Sequence, residues 1–207
     1  MTKPATDTKE QILNVAEKLF AENGFTGTSL RSVISEAGVN LSAVNYHFGS
    51  KEELFRAIVQ RISKPVVAGE LKLLKELQAQ KDDYTLEEVL TCFFTPPFEV
   101  MLNSGDRQLE CGRFMGRCRL EPDHIGNIAK FEFKDSEDAY IDALQRVLPD
   151  QSRNEIYWKF DLMIACMIRV FTQAEKPHGL IQKKSIDQID DVVGKLVNFL
   201  ASGMRIS

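Results

Sequence analysis

The sequence lacks long hydrophobic runs, a secretion signal and cysteine motifs. Its apolar runs are far shorter than the roughly 18 residues that a membrane-spanning helix needs, and its first residues, MTKPATDTKEQ, contain no apolar segment. The four cysteines, Cys92, Cys111, Cys118 and Cys166, show neither CxxC spacing nor nearby histidines, which argues against a zinc site or a disulfide framework. We therefore expect a cytoplasmic protein that contacts no membrane, binds no metal and keeps its cysteines as small buried hydrophobic residues.

A catalytic motif is also absent. The three histidines, His47, His124 and His178, lie in separate segments, and neither Gly-x-Ser-x-Gly nor a phosphate-binding loop occurs. Cys111 has no adjacent base in the sequence. These observations predict that the chain is not an enzyme and needs no cofactor, although a catalytic cluster assembled only in space is left open.

A strong excess of basic residues, the usual mark of a nucleic-acid-binding protein, is missing as well. The net charge is −4, and residues 1–62 are balanced, with seven basic and seven acidic side chains. The remainder of the chain therefore carries the whole negative charge. This asymmetry favours the N-terminal part as the piece that can lie near phosphates.

What is present is helical periodicity along almost the whole chain, so we predict an all-α protein. Capping and stop signals predict four short helices that form a unit over residues 1–62. Their predicted limits are the capping box Thr8-x-x-Gln11 and Asn23-Gly24, then Thr28 and Gly38, then Asn40 and Phe48, then the capping box Ser50-x-x-Glu53 and Ile62.

Residues 65–207 predict a second, larger helical domain. Proline is expected to end helices at Pro65 and again at Pro96-Pro97. The predicted helices cover Val66–Gln80, Thr85 to Pro96, Phe98 to Asn103, Arg107–Leu120 and Ile125–Leu148, followed by two that begin at the capping boxes Ser152-x-x-Glu155 and Ser185-x-x-Gln188.

The last two predicted helices are apolar on more than one face. Such a helix either lies at the centre of its own domain or presents one side to another subunit. We predict a homodimer in which both helices meet their mates around a two-fold axis. The expected contact residues are Ile156, Phe160, Ile164, Met167, Phe171, Ile189, Val193, Leu196 and Leu200.

The stretch EAGVNLSAVNYHFGSKEEL has the pattern of a helix-turn-helix. Two helices are separated by Gly38-Val39-Asn40, and Gly38 suits the left-handed backbone that ends the first of them. Val44 and Phe48, four residues apart, share one face of the second helix and can point inward. The remaining polar and aromatic side chains then point outward.

An exposed face of this kind suits the DNA major groove. Asparagine can pair with adenine, Ser and Tyr can bond to bases or phosphates, and small apolar groups can touch a thymine methyl. Half-buried packing of Tyr46 and His47, and a merely solvated Lys51, are the alternatives. The candidate DNA-binding residues are Thr28, Ser29, Arg31, Asn40, Leu41, Ser42, Ala43, Asn45, Tyr46, His47 and Lys51.

The segment ILNVAEKLFAENGF, the Thr28-Ser29 start, EAGV, Tyr46-His47-Phe48 and SKEEL resemble the DNA-binding domain of the TetR family of bacterial transcriptional repressors. The resemblance implies a dimer that binds an inverted-repeat DNA operator and a C-terminal domain that binds a small-molecule effector. Most members carry tyrosine where this chain has Asn45, which puts the base contact at that position in question. The NYHFGSK variant is similar to the fatty-acid-responsive regulators of the PsrA kind.

This resemblance favours a hydrophobic effector such as a fatty acid or acyl-CoA, with an arginine at the mouth of its pocket. Arg119 is a further arginine near that end. The competing hypothesis is a helical dimeric adaptor that binds only protein, which buried Asn45 and Tyr46 would favour. The candidate effector-binding residues are Phe94, Phe98, Met101, Leu102, Arg113, Phe114, Met115, Arg117, Phe131 and Trp158.

Overall fold

The computed structural model of the chain describes residues 5–174, 176, 178–181 and 189–206. Within this part of the chain all regular structure is helical, which confirms the predicted all-α class. None of the helices described is long and apolar enough to cross a membrane. The elements are α1 Ala5–Gly27, α2 Leu30–Ala37, α3 Leu41–His47, α4 Lys51–Gln80, α5 Leu86–Leu102, a 3₁₀ helix Gly105–Arg107, α6 Gln108–Cys118, α7 Asp123–Val147, α8 Arg153–Thr172 and α9 Ile189–Met204.

Four predicted helix starts are confirmed. Asn40, Ser50, Thr85 and Ser152 each lie one residue before a helix, and each side chain accepts the backbone N–H three residues later. Such caps satisfy N–H groups that have no partner inside the helix. The capping chemistry therefore sets the entry to α3, α4, α5 and α8.

Two other predicted starts are wrong, and one cannot be compared. Thr8 lies inside α1. The cap of α2 is Ser29, which accepts the Ser32 N–H, and not Thr28. Thr28 is instead buried, because its hydroxyl donates to the Leu19 and Gly24 carbonyls at 3.0 and 2.8 Å. The predicted cap of the last helix, Ser185, lies outside the described residues.

The prolines do not end helices as predicted. α4 continues through Pro65, and α5 continues through Pro96 and Pro97. An interior proline costs about 3 kcal/mol, so packing must offset it. Pro96 and Pro97 are buried, and a Cβ added to Gly69 would lie 2.9 Å from the Pro96 Cβ, so α4 and α5 approach closely there. α4 is therefore one continuous helix that runs from the helix-turn-helix into the C-terminal core.

The apolar core is continuous from the N-terminal unit into the larger one. Phe55 of α4 lies with its ring centroid 5.3 Å from that of Phe20 in α1 and 5.3 Å from that of Phe114 in α6. Aromatic pairs at this separation contribute beyond the area they bury. The two units therefore share a hydrophobic connection along α4.

Candidate DNA-reading surface and effector site

The exposed face of α3 is the candidate DNA-reading surface. Val44 is fully buried and Phe48 nearly so, as predicted, which turns the opposite face outward. Gly38 has φ 61° and ψ 33°, and its N–H bonds back to α2, so it makes the left-handed turn that glycine favours. Tyr46 is 82% exposed and Asn45 is exposed, so the burial that would have favoured the adaptor hypothesis is not found. The other exposed candidates around this face are Ser29, Arg31, Asn40, Leu41 and Ser42.

Several candidate DNA contacts have other partners. Lys51 donates from Nζ to the Thr28 carbonyl at 2.8 Å and lies 4.1 Å from the centroid of the Phe25 ring. These contacts hold the start of α4 against the end of α1. Thr28, predicted as a phosphate contact, presents no accessible side chain. Ala43 and His47 are half-buried, and the His47 ring lies 5.1 Å from that of Tyr46.

The structure disperses the predicted effector residues. Phe131, expected to line a pocket, is 72% exposed on α7, and Trp158 lies on the outer surface of α8. Arg113 and Arg117 line an open cleft beside α1. Leu102 is half-buried against the core. Helical spacing identified most of the buried faces but could not show which of them are filled by neighbours; Phe94, Phe98, Met101 and Phe114 are packed in the core.

Met115, one of the residues predicted to line the effector pocket, borders an interior cavity between α4, α5, α6, α7 and α8. The cavity measures about 20 Å³, which is room for a single water molecule. Its walls are mostly apolar, and one side is polar. The lining residues are Val66, Glu70, Phe93, Pro97, Met115, Arg119, Phe133, Ser136, Glu137 and Met167.

The polar side of this cavity centres on Glu70, which is only 1% exposed. The Ser136 hydroxyl donates to Glu70 Oε2 at 2.5 Å, and the Tyr140 hydroxyl donates to the Glu70 carbonyl at 2.9 Å. Burial raises the pKa of Glu70 to about 8, although the Ser136 hydrogen bond and the charge of Arg119 act in the opposite direction. Glu70 therefore holds a proton at neutral pH.

The single arginine at the cavity is already paired. Arg119 Nη1 lies 2.5 Å from Glu137 Oε1, and its guanidinium lies 4.5 Å from the centroid of the Phe133 ring. The pair is electrically neutral. Glu70 is thus left without an ion-pair partner among the described side chains.

Sequence reasoning missed Glu70 and Ser136, although a signal was present. Glu70 falls on the buried stripe of α4 between Val66 and Leu74. Ser136 falls on the buried stripe of α7 between Phe133 and Tyr140. A charged or polar residue at a position whose spacing demands an apolar one is that signal.

The predicted dimer residues face the subunit's own core. Ile156, Phe160, Ile164, Met167, Phe171, Ile189, Val193, Leu196 and Leu200 are all buried in the single chain. Each helix turns its most continuous apolar stripe inward, and the dimer contact itself stays a prediction. What remains outside is a groove of about 520 Å³ between α8 and α9, lined mainly by apolar groups that include Trp158, Leu162 and Phe199.

A buried lysine fixes the end of α9 beside this groove. Lys159 donates from Nζ to the carbonyls of Met204 and Ile206 at 2.9 and 2.6 Å and to Gln151 Oε1 at 2.8 Å. A cation at a helix C-terminus offsets the carbonyls that have no helical partner. The outer faces of α8 and α9 are thereby held in a fixed relation.

The junction of α1 with the C-terminal core is built on charge. Gly24 leaves the helical conformation with φ 73° and ψ 178°, and a Cβ there would meet Arg117 Nη2 at 2.7 Å. The kink frees the Phe25 N–H, which donates to Glu121 Oε1 at 3.0 Å. Glu121 also pairs with Arg117 at 3.4 Å.

A second charged contact at this junction surrounds Glu17, whose side chain is fully buried. Arg61 of α4 donates to one Glu17 oxygen, and Arg107 Nη1 donates to both, at 2.9 and 2.8 Å. Arg61 also donates to Asn14 Oδ1 at 2.7 Å. Glu17 therefore joins α1, α4 and the 3₁₀ helix.

Comparison with curated proteins gives matches over about a third of the chain. A 73-residue stretch is 36% identical to the HTH-type transcriptional repressor NicS of Pseudomonas putida and covers 35% of this chain and 34% of that protein. A 76-residue stretch is 38% identical to the HTH-type transcriptional regulator AcrR of Shigella flexneri, covering 37% and 34%. The matches span about a third of the length of these relatives.

Solved structures share the whole fold at low identity. A TetR family regulator, PfmR from Thermus thermophilus, gives a TM-score of 0.60 at 19% identity, over 91% of this chain and 96% of that one. The hemolysin II transcriptional regulator HlyIIR gives a TM-score of 0.59 at 23% identity, over 95% and 98%. At these identities the likeness shows the fold.

Family models match both parts of the chain. Residues 12–58 match the model described as bacterial regulatory proteins, tetR family. Residues 91–203, more than half of the chain, match the model described as tetracyclin repressor-like, C-terminal domain. The chain therefore belongs to the TetR family of bacterial regulatory proteins.

Proposed function

We propose that this protein is a dimeric transcriptional repressor of the cytoplasm that binds an inverted-repeat operator and is released by a small hydrophobic molecule. The observation that carries the proposal is the exposed polar and aromatic face of α3, with Tyr46 82% exposed above a buried Val44. Apart from the contact with the His47 ring, most of this side chain is free to meet another molecule. This exposure supports a contact with DNA.

Residues 1–62 act in this proposal as the DNA-binding domain. Asn45 and Tyr46 contact base edges or phosphates in the major groove, and Arg31 contacts a neighbouring phosphate. Two copies of α3 must then lie about 34 Å apart to reach successive major grooves. The spacing between the two copies is what an effector has to change.

Residues 65–207 supply the dimer contact and the effector site. The exposed groove residues Trp158, Leu162 and Phe199 form an apolar surface that a second copy of α8 and α9 can cover. The two-helix arrangement expected from the sequence is kept in this proposal. The residues that make the contact are the outward ones.

The segment from Met115 to Glu121 connects the cavity to the DNA-binding domain. Met115 and Arg119 line the cavity. Glu121, just beyond the end of α6, accepts the N–H of Phe25 in α1. A molecule that enlarges the cavity therefore displaces a segment that holds α1, and the displacement shifts the balance between operator-bound and free forms.

A fatty acid or acyl-CoA is one candidate effector, supported by the resemblance of NYHFGSK to regulators of the PsrA kind. An acyl carboxylate needs an available cation. Arg119 is already paired with Glu137, and Arg113 and Arg117 lie at a different cleft. The charge of the interior cavity therefore favours another class of hydrophobic molecule.

Operator binding tests the regulator proposal. We expect the full-length protein to bind duplex from its own promoter region more tightly than random duplex at near-physiological salt. Arg31→Gln should weaken binding to all sequences and lower the slope of log K against log salt by about 1. Asn45→Ala should instead change the preference at particular base pairs. Fluorescence anisotropy across a salt series measures both effects.

The matched control is Lys75→Gln, which removes an exposed positive charge from the distal half of α4. It should leave both operator affinity and the salt slope unchanged. Equal affinity of the unaltered protein for promoter and random duplex would contradict the proposed function.

A further inference from the structure

The interior cavity contains one carboxyl group, that of Glu70, for which the described surroundings supply no cation when it is ionised. Glu70 is 1% exposed, and its side chain accepts one hydrogen bond, from the Ser136 hydroxyl. A buried carboxylate without a cation costs several kcal/mol, so a residue that serves packing alone would be apolar. A carboxyl group at position 70 therefore lowers stability relative to an apolar side chain, which indicates a role other than packing.

None of the described elements packed around Glu70 supplies it with an unpaired cation. The charged and titratable groups that face it are Arg119 and Glu137, which form an ion pair with each other, and Tyr140, which is neutral. The residues that line the cavity from α5 and α8 are Phe93, Pro97 and Met167, and all three are apolar. With Glu70 ionised, the cavity carries one net negative charge.

The walls are suited to an organic rather than an inorganic cation. The Phe133 ring already contacts the Arg119 guanidinium, so the Phe93 ring is the aromatic part of the lining that can face a further positive charge, an attraction that strengthens where water is excluded. Met115 and Met167 are flexible and polarisable, so they can move to enlarge a cavity that now holds about one water molecule. Mg²⁺ and Ca²⁺ would need about six or more oxygen ligands, which these walls do not provide.

We infer that the effector is an apolar organic monocation, a lipophilic amine or a quaternary ammonium compound, whose charge pairs with the carboxylate of Glu70. This inference rests on the proposed function for its consequence, release from the operator. An anionic effector would find no unpaired cation among the described residues of the cavity, and a neutral one would gain no charge pairing from an ionised Glu70. The ion pair between Arg119 and Glu137 stays intact and prevents the cation from binding Glu137 instead.

Binding of the cation is coupled to loss of a proton. Because the pKa of Glu70 is raised to about 8, the carboxyl must release its proton before it can pair with the cation. Affinity for a permanently charged cation should therefore rise about tenfold per pH unit below pH 8 and level off above it. A fatty acid carboxylate would show the opposite dependence, since it binds best while Glu70 is protonated.

The experiment is isothermal titration calorimetry of the full-length protein at pH 6, 7, 8 and 9. The probe is benzyltrimethylammonium, whose charge does not titrate. Its uncharged counterpart is neopentylbenzene, in which carbon replaces the nitrogen, and the anionic probe is octanoate. We expect the cation to bind with the pH dependence given above, to release up to one proton in buffers of different ionisation enthalpy, and to bind at least tenfold tighter than neopentylbenzene at pH 9.

Glu70→Gln should remove both the pH dependence and the preference for the cation while keeping the shape of the side chain. The matched control is Glu76→Gln, the same change at an exposed position of α4. It should behave like the unaltered protein. Circular dichroism of both variants establishes that they are folded.

Four outcomes would overturn the inference. They are a cation affinity that is independent of pH, equal binding of cation and neopentylbenzene in folded protein, tighter binding of octanoate with release from the operator, and failure to bind any of the probes. Failure of the regulator proposal is seen separately, in the operator assay without any probe, so the two conclusions can fail independently.

Discussion

Two buried glutamates, Glu17 at the junction of α1 and Glu70 in the interior cavity, have opposite surroundings. Glu17 accepts hydrogen bonds from Arg61 and Arg107. Glu70 accepts one from the Ser136 hydroxyl, and Arg119 beside it is paired with Glu137. The two carboxyl groups are almost equally inaccessible to solvent.

The difference distinguishes a carboxyl group that holds the fold together from one that can bind a ligand. Glu17 joins three elements, and the fold supplies two guanidinium groups that donate hydrogen bonds to it. A carboxyl that waits for a ligand does not need its charge until the ligand arrives, and the fold supplies a hydroxyl. The partners of a buried acid, more than its burial, indicate which role it has.

Removing one arginine partner of Glu17 should have the largest effect on stability. Arg61→Met leaves Glu17 buried with Arg107 alone, and we expect the free energy of unfolding to fall by about 3 to 5 kcal/mol. Urea unfolding followed by circular dichroism measures the change. Arg56→Met removes an exposed arginine of the same helix, whose contact with Glu53 is 3.4 Å, and should change stability by less than about 1 kcal/mol. Equal losses in the two variants would contradict a structural role for Glu17.

Glu70, which has no cationic partner among the described side chains, should make the free energy of unfolding depend on pH. Unfolded Glu70 has an ordinary pKa near 4.5, and the folded value is about 8, so the folded state holds the extra proton between these values. Stability from this group is therefore complete below pH 4.5 and falls by up to about 1.4 kcal/mol per pH unit until pH 8. Urea unfolding of the unaltered protein and Glu70→Gln at pH 5, 6, 7 and 8 gives the difference.

In Glu70→Gln this fall should vanish, while Glu76→Gln should retain it. A parallel pH profile for Glu70→Gln and the unaltered protein would show that Glu70 does not titrate in this range.

The smallest effect concerns communication between the two regions. Glu121→Gln keeps an acceptor for the Phe25 N–H but removes its charge, so we expect a stability loss of about 1 kcal/mol. Operator affinity without effector should change little. The concentration of benzyltrimethylammonium that releases half of the operator should rise, measured by anisotropy against direct binding by calorimetry. If the ratio of the half-release concentration to the dissociation constant is unchanged, Glu121 does not connect the cavity to the DNA-binding domain.

The sequence predicted the reading face well because its determinants are local. The turn at Gly38, the cap at Asn40 and the inward pair Val44 and Phe48 are set by residues close to one another in the chain. The exposure of Tyr46 follows from them. Local chemistry of this kind can be recognised in a single sequence.

The C-terminal site was not predicted because its determinants are distant in the chain. Glu70 meets Ser136 across 66 positions, and periodicity cannot reveal such a pairing. The predicted effector-lining residues Phe131 and Trp158 are both exposed in the structure, because helical spacing does not show which face a neighbouring helix covers. The predicted end of a helix at Pro96-Pro97 is wrong for the same reason, since the close packing of Gly69 against Pro96 joins residues that are distant in the chain.

The uninterrupted course of α4 through Pro65 makes the helix a lever. Glu70 lies nineteen residues beyond Lys51, which is about 29 Å along the axis at about 1.5 Å per residue. A tilt of about 5° at Glu70 would carry the Lys51 end about 2.5 Å sideways over that length. That distance is close to the length of a hydrogen bond, so base contacts by α3 could not survive it. A helix broken at Pro65 would have absorbed the same tilt before it reached DNA.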